Sequence, residues 1–128
     1  MSNTFHKNER LCSKKQIDVL FEKGQTLSAY PIKIIFLERK NEAVSPIMAM
    51  FVVPKKKFKH ANDRNKLKRR MREAYRLQKN EFYDSVGKTQ LDLALLYYGN
   101  KTEEYDVIFK AMSKLLNNLT KQIGTGGK

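Results

Sequence analysis

The segment from Ala61 to Arg76 reads Ala61-Asn62-Asp63-Arg64-Asn65-Lys66-Leu67-Lys68-Arg69-Arg70-Met71-Arg72-Glu73-Ala74-Tyr75-Arg76. Its apolar residues recur at the spacing i, i+4, i+7 and i+8, which places side chains on one face of a helix. They are Leu67, Met71, Ala74 and Tyr75. The opposite side is lined by Asn65, Lys68, Arg69, Arg72 and Arg76. We therefore predict a helix that is anchored to a core by one face and presents cations to a polyanion on the other.

Most of the excess positive charge of the chain lies in and around this helix. The 128 residues carry a formal net charge of +13. The segment from Lys55 to Lys79 contains twelve Lys and Arg residues but only Asp63 and Glu73 as acids, so it carries +10 of that total. Charge concentrated in this way is typical of a nucleic-acid-binding patch. A helix that is merely solvated would normally intersperse acids to limit self-repulsion.

The composition limits the classes of protein to consider. The length predicts a single domain over residues 1–128, ordered over about 5–121 with a flexible tail at 122–128. Cys12 is alone, so no internal disulfide can form, and with two isolated histidines there is no zinc ligand set. No apolar run approaches about 18 residues and no signal-peptide pattern begins the chain, so we expect a cytoplasmic protein.

A short helix is predicted near the start of the chain. Ser13 and Gln16 have the spacing of a capping box, and Gly24 stands where a helix of about ten residues would end. The apolar stripe of this helix is Ile17, Leu20 and Phe21.

Three segments have the composition of strands. Residues 27–38 alternate in the manner of one strand, and residues 39–45 suit a hairpin loop. Residues 46–54 are almost continuously apolar, which predicts a central strand buried on both faces. Residues 91–98 predict a third strand in the interior of the sheet.

The last element is an amphipathic helix over residues 103–121, with Thr102 as its cap and two glutamates in its first turn. The predicted order is therefore α-β-β-α-β-α, a single α+β sandwich with helices over a small sheet.

The sequence contains no recognisable catalytic set. The acids are scattered, no Ser-His or Cys-His arrangement can be argued, and there is no Gly-rich phosphate loop. The basic helix offers few side chains that read base edges, so structured RNA is a better partner than DNA. Candidates to hold a single strand by stacking or apolar contact are Phe21, Ile17 and the outward residues of the first predicted strand.

The basic helix and its flanks resemble the protein subunit of bacterial ribonuclease P. The signature of that family is approximately Ala-Val-x-Arg-Asn-Arg-(Ile/Leu)-Lys-Arg-x-x-Arg-Glu, matched here from Ala61 to Glu73. The resemblance spans about residues 5–120 and includes Glu9-Arg10-Leu11, Phe21 with Gly24, and Val53-Pro54-Lys55-Lys56-Lys57. Four positions depart from the pattern: Lys66 replaces an Arg and loses its bidentate fork, Lys59 a Gly, Asn62 a Val and Ile17 a Phe.

The resemblance implies a fold and a function. The family fold is like domain 2 of ribosomal protein S5, a small mixed sheet with a left-handed β-α-β crossover. In the family a large RNA is the catalyst, with Mg²⁺ held mainly by RNA and substrate, so the protein alone would be inactive and would bind no cofactor. The protein assists endonucleolytic removal of the 5′ leader of precursor tRNA.

The resemblance also implies two groups of site residues. The catalytic RNA subunit would be contacted by Lys56, Lys57, Arg64, Asn65, Lys66, Lys68, Arg69, Arg72 and Arg76. The 5′ leader of precursor tRNA would lie in a cleft lined by Ile17, Phe21 and Lys33. No catalytic residue, metal ligand, DNA contact or membrane contact is expected on the protein.

Two other functions stay open. A ribosomal or general structured-RNA-binding protein without a processing role would share the basic patch, but its affinity would not depend on a leader. A protein-only nuclease would need acids clustered around a metal, and the sequence shows no such cluster.

Overall fold

The computed structural model describes residues 10–39, 47–87 and 89–126. In chain order the elements are α1 (Lys14–Lys23), β1 (Gln25–Ala29), β2 (Ile32–Glu38), β3 (Ile47–Val52), α2 (Ala61–Val86), β4 (Leu91–Tyr97) and α3 (Tyr105–Gly126). The strands form one sheet in the order β1-β2-β4-β3. The pairs β1–β2 and β2–β4 are antiparallel and β3–β4 is parallel. The predicted α+β class with a small mixed sheet is confirmed.

One face of the sheet packs against α2 and α3 and forms the main core. The predicted seam of α2 is confirmed, since Leu67, Met71, Ala74 and Tyr75 are all fully buried. The stripe of α3 is buried as well, with Ile108, Met112, Leu115 and Leu119 at zero exposure. Burial of each such large apolar side chain stabilises the fold by about 1.5–3 kcal/mol, so this face fixes where α2 lies.

The other face of the sheet is covered only in part. Helix α1 lies over β2 and β4 and fully buries Leu20, with Ile17 half-buried beside it. The start of α1 is as predicted, because the Ser13 hydroxyl accepts a hydrogen bond from the Gln16 N–H at 3.3 Å. Five sheet residues on this face remain half-buried: Ile35, Leu37, Met48, Met50 and Leu96. A partly open apolar surface therefore lies beside α1.

The first predicted strand is two strands. Residues 27–38 turn at Tyr30–Pro31, whose peptide bond is cis, and β1 then pairs with β2 from Ala29 opposite Ile32. The alternation of apolar residues continues across the turn, which is why the pattern resembled one strand. Pro31 was the contrary signal, since proline cannot donate to a strand ladder.

Strand β3 is an edge strand, so its predicted central position is wrong. The predicted hairpin between β2 and β3 is also wrong, because β4 lies between them; most of that loop, residues 40–46, lies outside the described residues. The apolar composition of β3 has another cause. The Leu11 N–H donates to the Ala49 carbonyl at 2.9 Å, so the N-terminal segment covers part of the exposed edge.

The connection from β3 through α2 to β4 is a β-α-β unit with parallel strands. This is the connection for which the family resemblance implies a left-handed crossover. It places the basic helix directly after the lysine-rich turn at 55–57.

Two helices have boundaries other than those predicted. Helix α2 continues to Val86, ten residues beyond the end of the segment Ala61 to Arg76 from which it was predicted. Helix α3 starts at Tyr105, which leaves Thr102 and both glutamates ahead of it, with Asp106 as the acid of its first turn. Its end at Gly126 lies within the predicted tail at 122–128, of which residues 127–128 lie outside the described residues. The flexibility of that tail stays a prediction.

Candidate nucleic-acid interface

The lysine-rich turn before α2 is exposed and its shape is held by Arg64. Lys55, Lys56 and Lys57 are all exposed. One terminal nitrogen of the Arg64 guanidinium, Nη1, donates to the carbonyl of Phe58 at 2.8 Å and to that of Lys59 at 2.9 Å. Arg64, predicted to contact RNA, is therefore half-buried and bonded to the turn.

The outer face of α2 carries the remaining predicted residues. Asn65, Lys66, Arg69 and Arg72 are exposed, and Lys68 is half-buried. The guanidinium carbon of Arg72 lies 6.0 Å from the centroid of the Phe51 ring, so it reaches the edge of β3. This distance is within the range of a cation–π contact, which orients Arg72 while leaving it accessible. The structure thus brings these cations together on one continuous surface with Lys56 and Lys57.

Arg76 lies at the far end of this surface and is paired with an acid. Its Nε and Nη2 donate to the two carboxylate oxygens of Glu73 at 2.8 and 2.7 Å. Hydrogen bonding from Arg76 lowers the pKa of the Glu73 carboxyl, although both side chains remain substantially exposed. The pair reduces the net positive charge available at this end of the helix.

Two cations of the basic segment are not on this surface. Lys79 is only 3% exposed, and its ammonium lies 5.7 Å from the Tyr83 ring centroid. Arg70 donates to the carbonyl of Glu103 and so binds the loop before α3. Counting charges along the sequence could not separate these two, because their direction depends on what α2 packs against.

The predicted leader cleft corresponds to the partly open sheet face beside α1. Its floor consists of three rows across β2, β4 and β3, set by the strand register: Leu37–Asp92–Met48, Ile35–Ala94–Met50 and Lys33–Leu96–Val52. Ile17 packs against this face, whereas Phe21, one helical turn later, is 44% exposed. Lys33 lies in the outermost row. The structure therefore places the three predicted cleft residues around one surface.

One end of this floor contains a buried ion pair. Arg39 donates to the Asp92 carboxylate, and the two side chains are only 8% and 6% exposed. Burial raises the pKa of Asp92, and the nearby Arg39 opposes that rise. A buried carboxylate is tolerated when a cation satisfies it, so Arg39 allows an acid in an otherwise apolar strand.

The opposite end contains two aromatic residues that the sequence analysis missed. Tyr30 is 52% exposed, and its ring packs edge-to-face on Tyr98 with centroids 5.7 Å apart. The Lys33 ammonium lies 5.9 Å from the Tyr98 ring. The available signal was Pro31, which marks a turn and so projects its neighbour Tyr30 outward.

The basic surface and the cleft meet at this aromatic end. Lys57, in the turn before α2, donates from Nζ to the carbonyl of Tyr98 at 3.0 Å. Lys57 of the turn therefore lies next to Tyr98, whose ring is 5.9 Å from the Lys33 ammonium at the end of the floor. A single nucleic-acid strand that lay in the cleft could continue onto the basic surface and remain close to cations throughout.

The described residues show no grouping of metal-ligating side chains in this region. Within residues 10–39, 47–87 and 89–126, no three His, Cys, Asp or Glu side chains are grouped to hold a metal ion. A cavity of about 910 Å³ lies on the α3 side of the sheet, between β1, β2 and residues 118–123, and contains none of the predicted site residues.

None of the helices in the described part of the chain combines the length and the apolar character that a membrane span requires.

Comparison with known proteins identifies the family. A sequence model of the family Ribonuclease P matches residues 5–120. The chain belongs to the ribonuclease P protein family. A relative named ribonuclease P protein component, from Porphyromonas gingivalis, is 30% identical over 86% of this chain and 82% of its own length. The one from Thermotoga maritima is 31% identical over 96% of this chain and 98% of its own.

Solved structures of ribonuclease P proteins share the fold. The protein from Staphylococcus aureus superposes with a TM-score of 0.72 at 18% identity, over 88% of this chain and 96% of that one. The protein from Thermotoga maritima gives 0.64 at 26% identity, over the same shares. Membership makes this ribonuclease P protein the subunit of a ribonucleoprotein endoribonuclease of tRNA processing, with the ribonuclease P RNA as its partner.

Proposed function

We propose that this protein binds the catalytic RNA of ribonuclease P through the outer face of α2 and the turn before it. It also holds the 5′ leader of precursor tRNA on the sheet face beside α1, in the cytoplasm. The RNA performs the cleavage that yields the mature tRNA 5′ end. The observation that carries the proposal is that two different surfaces, one cationic and one apolar, meet at Lys57 and Tyr98.

The basic surface suits a folded RNA. Its members Lys56, Lys57, Lys66, Lys68, Arg69 and Arg72 are cations on one helix and its preceding turn, with Asn65 as the main neutral polar group among them. Cations of this kind contact phosphates and therefore recognise the course of a backbone rather than a base sequence. Arg64 supports the surface by fixing the turn.

The cleft suits an unpaired strand. Its floor is apolar apart from the buried Arg39–Asp92 pair at one end, its rim carries the exposed ring of Phe21, and Lys33 stands at its outer row. Apolar and aromatic surfaces hold single-stranded bases with little sequence preference, while a cation holds the backbone. This matches a leader, which is single-stranded and variable in sequence.

Divalent metal chemistry is assigned to the RNA. Mg²⁺ in the assembled enzyme would supply activation of water and stabilisation of the leaving oxygen. The described residues offer no grouped carboxylates or histidines to hold it, so we place it on RNA and substrate. The protein's own residues bind and orient.

The proposal is tested by reconstitution. The folded protein is added to a bacterial ribonuclease P RNA at low Mg²⁺, and cleavage of precursor tRNA is measured. We expect cleavage to be restored by protein and RNA together, with none from the protein alone. Failure with several such RNAs would contradict the proposal.

Leader dependence separates this function from its alternative. A ribosomal or general structured-RNA-binding protein would also bind RNA through α2. Only a leader-binding subunit predicts that the assembled enzyme binds precursor tRNA more tightly as the 5′ leader is lengthened, up to the length of the cleft. Equal affinity for all leader lengths and for mature tRNA would favour the alternative.

A further inference from the structure

Tyr30 is a large aromatic side chain that the fold leaves accessible. It lies in the turn between β1 and β2 and is 52% exposed. Its ring meets the ring of Tyr98 at an interplanar angle of 87°, so the two rings pack edge-to-face and do not stack on one another. An aromatic ring held from one side with half its surface in solvent is a platform on which another planar group can stack.

The Tyr30 ring is oriented by one hydrogen bond, to a residue that two further hydrogen bonds hold in place. The Tyr30 hydroxyl donates to the Glu103 carboxylate at 3.1 Å. Glu103 is itself fixed, because its N–H donates to the Tyr97 hydroxyl at 2.9 Å and its carbonyl accepts from Arg70. Tyr30 is therefore oriented before any ligand arrives, which reduces the entropic cost of binding.

The two turns beneath the rings are tightly packed. The Tyr98 N–H donates to the Pro31 carbonyl at 2.8 Å. A Cβ added to Gly99 would lie 2.9 Å from the Cβ of Pro31, so the two segments approach closely. Such packing gives the rings a rigid base.

Two cations stand beside the aromatic pair. The Lys33 ammonium is 5.9 Å from the Tyr98 ring, and Lys57 donates to the Tyr98 carbonyl at 3.0 Å. The acid nearby, Glu103, is engaged by the Tyr30 hydroxyl. Cations thus flank the Tyr98 side of the cluster, while the exposed part of the Tyr30 ring offers apolar contact. This division matches a nucleotide, which has one planar apolar part and one anionic part.

We propose that Tyr30 and Tyr98, with Lys33 and Lys57, form a binding site for one unpaired nucleotide of the precursor leader, at the point where the cleft meets the basic surface. The base stacks on Tyr30, and its phosphates lie near Lys33 and Lys57. The site rests on the function proposed above. It adds a position at which the leader is gripped by stacking, distinct from the α1 rim where Ile17 and Phe21 lie.

The site is tested in the assembled enzyme with a fluorescent base. Precursor tRNAs carry 2-aminopurine at successive leader positions, and stacking on an aromatic ring quenches its fluorescence. We expect one position, or two adjacent ones, to be quenched on binding. Tyr30→Ala should abolish that quenching and weaken the binding of leader-bearing precursor by about 5-fold or more, the effect of losing one stacked base. Tyr30→Phe, which keeps the ring and loses only the bond to Glu103, should restore the quenching.

The controls separate this site from the function it rests on. Leu77→Ala removes an apolar side chain of similar exposure, 47%, from a part of α2 outside the proposed sites, and should change neither quenching nor affinity. Binding of the catalytic RNA and of leaderless tRNA should be the same for Tyr30→Ala as for wild type. Thermal unfolding of each variant confirms that it is folded.

Three outcomes would overturn the site. Tyr30→Ala could leave quenching and leader affinity unchanged, it could weaken assembly with the catalytic RNA instead, or it could weaken leaderless and leader-bearing tRNA equally. Failure of the function itself would look different, because wild-type protein would then show no leader dependence at all.

Discussion

At the scale of single residues, the pair Arg39–Asp92 shows how a buried acid is tolerated in this sheet. Both side chains are less than a tenth exposed, and Asp92 lies in the central strand among apolar neighbours. Burial raises the pKa of Asp92, so the folded protein favours its protonated form relative to the unfolded chain. At neutral pH the ionised carboxylate depends on Arg39.

Arg39→Met should therefore destabilise the fold in a pH-dependent manner. Loss of the cation leaves a buried carboxylate unpaired, which costs about 3–5 kcal/mol at pH 7. The pKa of Asp92 then rises further, so this penalty applies above the folded-state pKa and is released as the pH falls through it. Urea unfolding at pH 7 and at mildly acidic pH measures the effect. The double variant Arg39→Met, Asp92→Asn should recover much of the loss at pH 7, and a pH-independent deficit would contradict the argument.

A second residue-scale prediction concerns the exposed cations of α2. Arg69 is exposed, so its charge contributes little to the stability of the fold. The same charge is free to attract RNA phosphates. Arg69→Ala should weaken binding of the catalytic RNA and flatten the slope of log affinity against log salt by about one unit. Filter binding at several salt concentrations measures both. Lys110→Ala removes one exposed cation from α3 and should leave the slope unchanged.

At the scale of elements, helix α1 forms one wall of the cleft and is held there mainly by a single buried side chain. Leu20 is its one residue with a fully buried side chain, and the helix ends where Gly24 lets the chain pass close to β2. The backbone of Gly24 has φ −71°, so a side chain is excluded there by lack of space and not by conformation.

Gly24→Ala should displace α1. The added Cβ would lie 2.5 Å from the Leu20 carbonyl oxygen and 2.6 Å from Cγ2 of Ile35. If the added methyl group did not clash, replacing glycine by alanine would stabilise the protein by about 0.4–1 kcal/mol, because it reduces the conformational entropy of the unfolded chain. A loss of stability would therefore show that the clash occurs. We expect a net loss of about 1–3 kcal/mol in thermal unfolding. Lys23→Ala, exposed at the adjacent position, should change stability by less than about 0.5 kcal/mol.

The elements also show what the sequence could and could not predict. The seam Leu67, Met71, Ala74 and Tyr75 was predictable because helical periodicity depends only on local spacing. The hairpin at Tyr30–Pro31 was missed because apolar alternation is the same on both sides of the turn. The edge position of β3 could not be predicted either, since a strand partner is a property of the tertiary fold and Leu11 happens to cover that edge.

At the scale of the whole molecule, the net charge is +13, and +10 of it lies between Lys55 and Lys79. If about six cations each neutralise one phosphate, the slope of log affinity for RNA against log salt should be roughly −4 to −5. Titrations between low and moderate salt measure it. An affinity that does not change with salt would show that the outer face of α2 is not the interface.

The candidate site likewise contains some residues that could be predicted from the sequence and others that only the tertiary fold brings together. The α2 cations were predictable from sequence, except Lys79 and Arg70, whose packing directs them inward and toward the loop before α3. Ile17 and Phe21 were predicted from their residue types as well as from family resemblance, whereas Lys33 was named from the resemblance alone; all three lie around one surface. Tyr30 and Tyr98 belong to turns almost seventy residues apart in sequence, so only the closed sheet could bring them together.

The strand order of this sheet has a consequence for the time course of its synthesis. The central strand, β4, is the last strand to leave the ribosome, and β2 and β3 both pair with it. Until residues 91–97 emerge, β3 lacks its hydrogen-bonded neighbour in the sheet while the basic segment at 55–79 is already made. A nascent chain of this kind presents cations and unpaired strand edges together, the combination that favours early capture by RNA and aggregation in its absence. Co-production with its RNA should therefore raise the yield of folded protein.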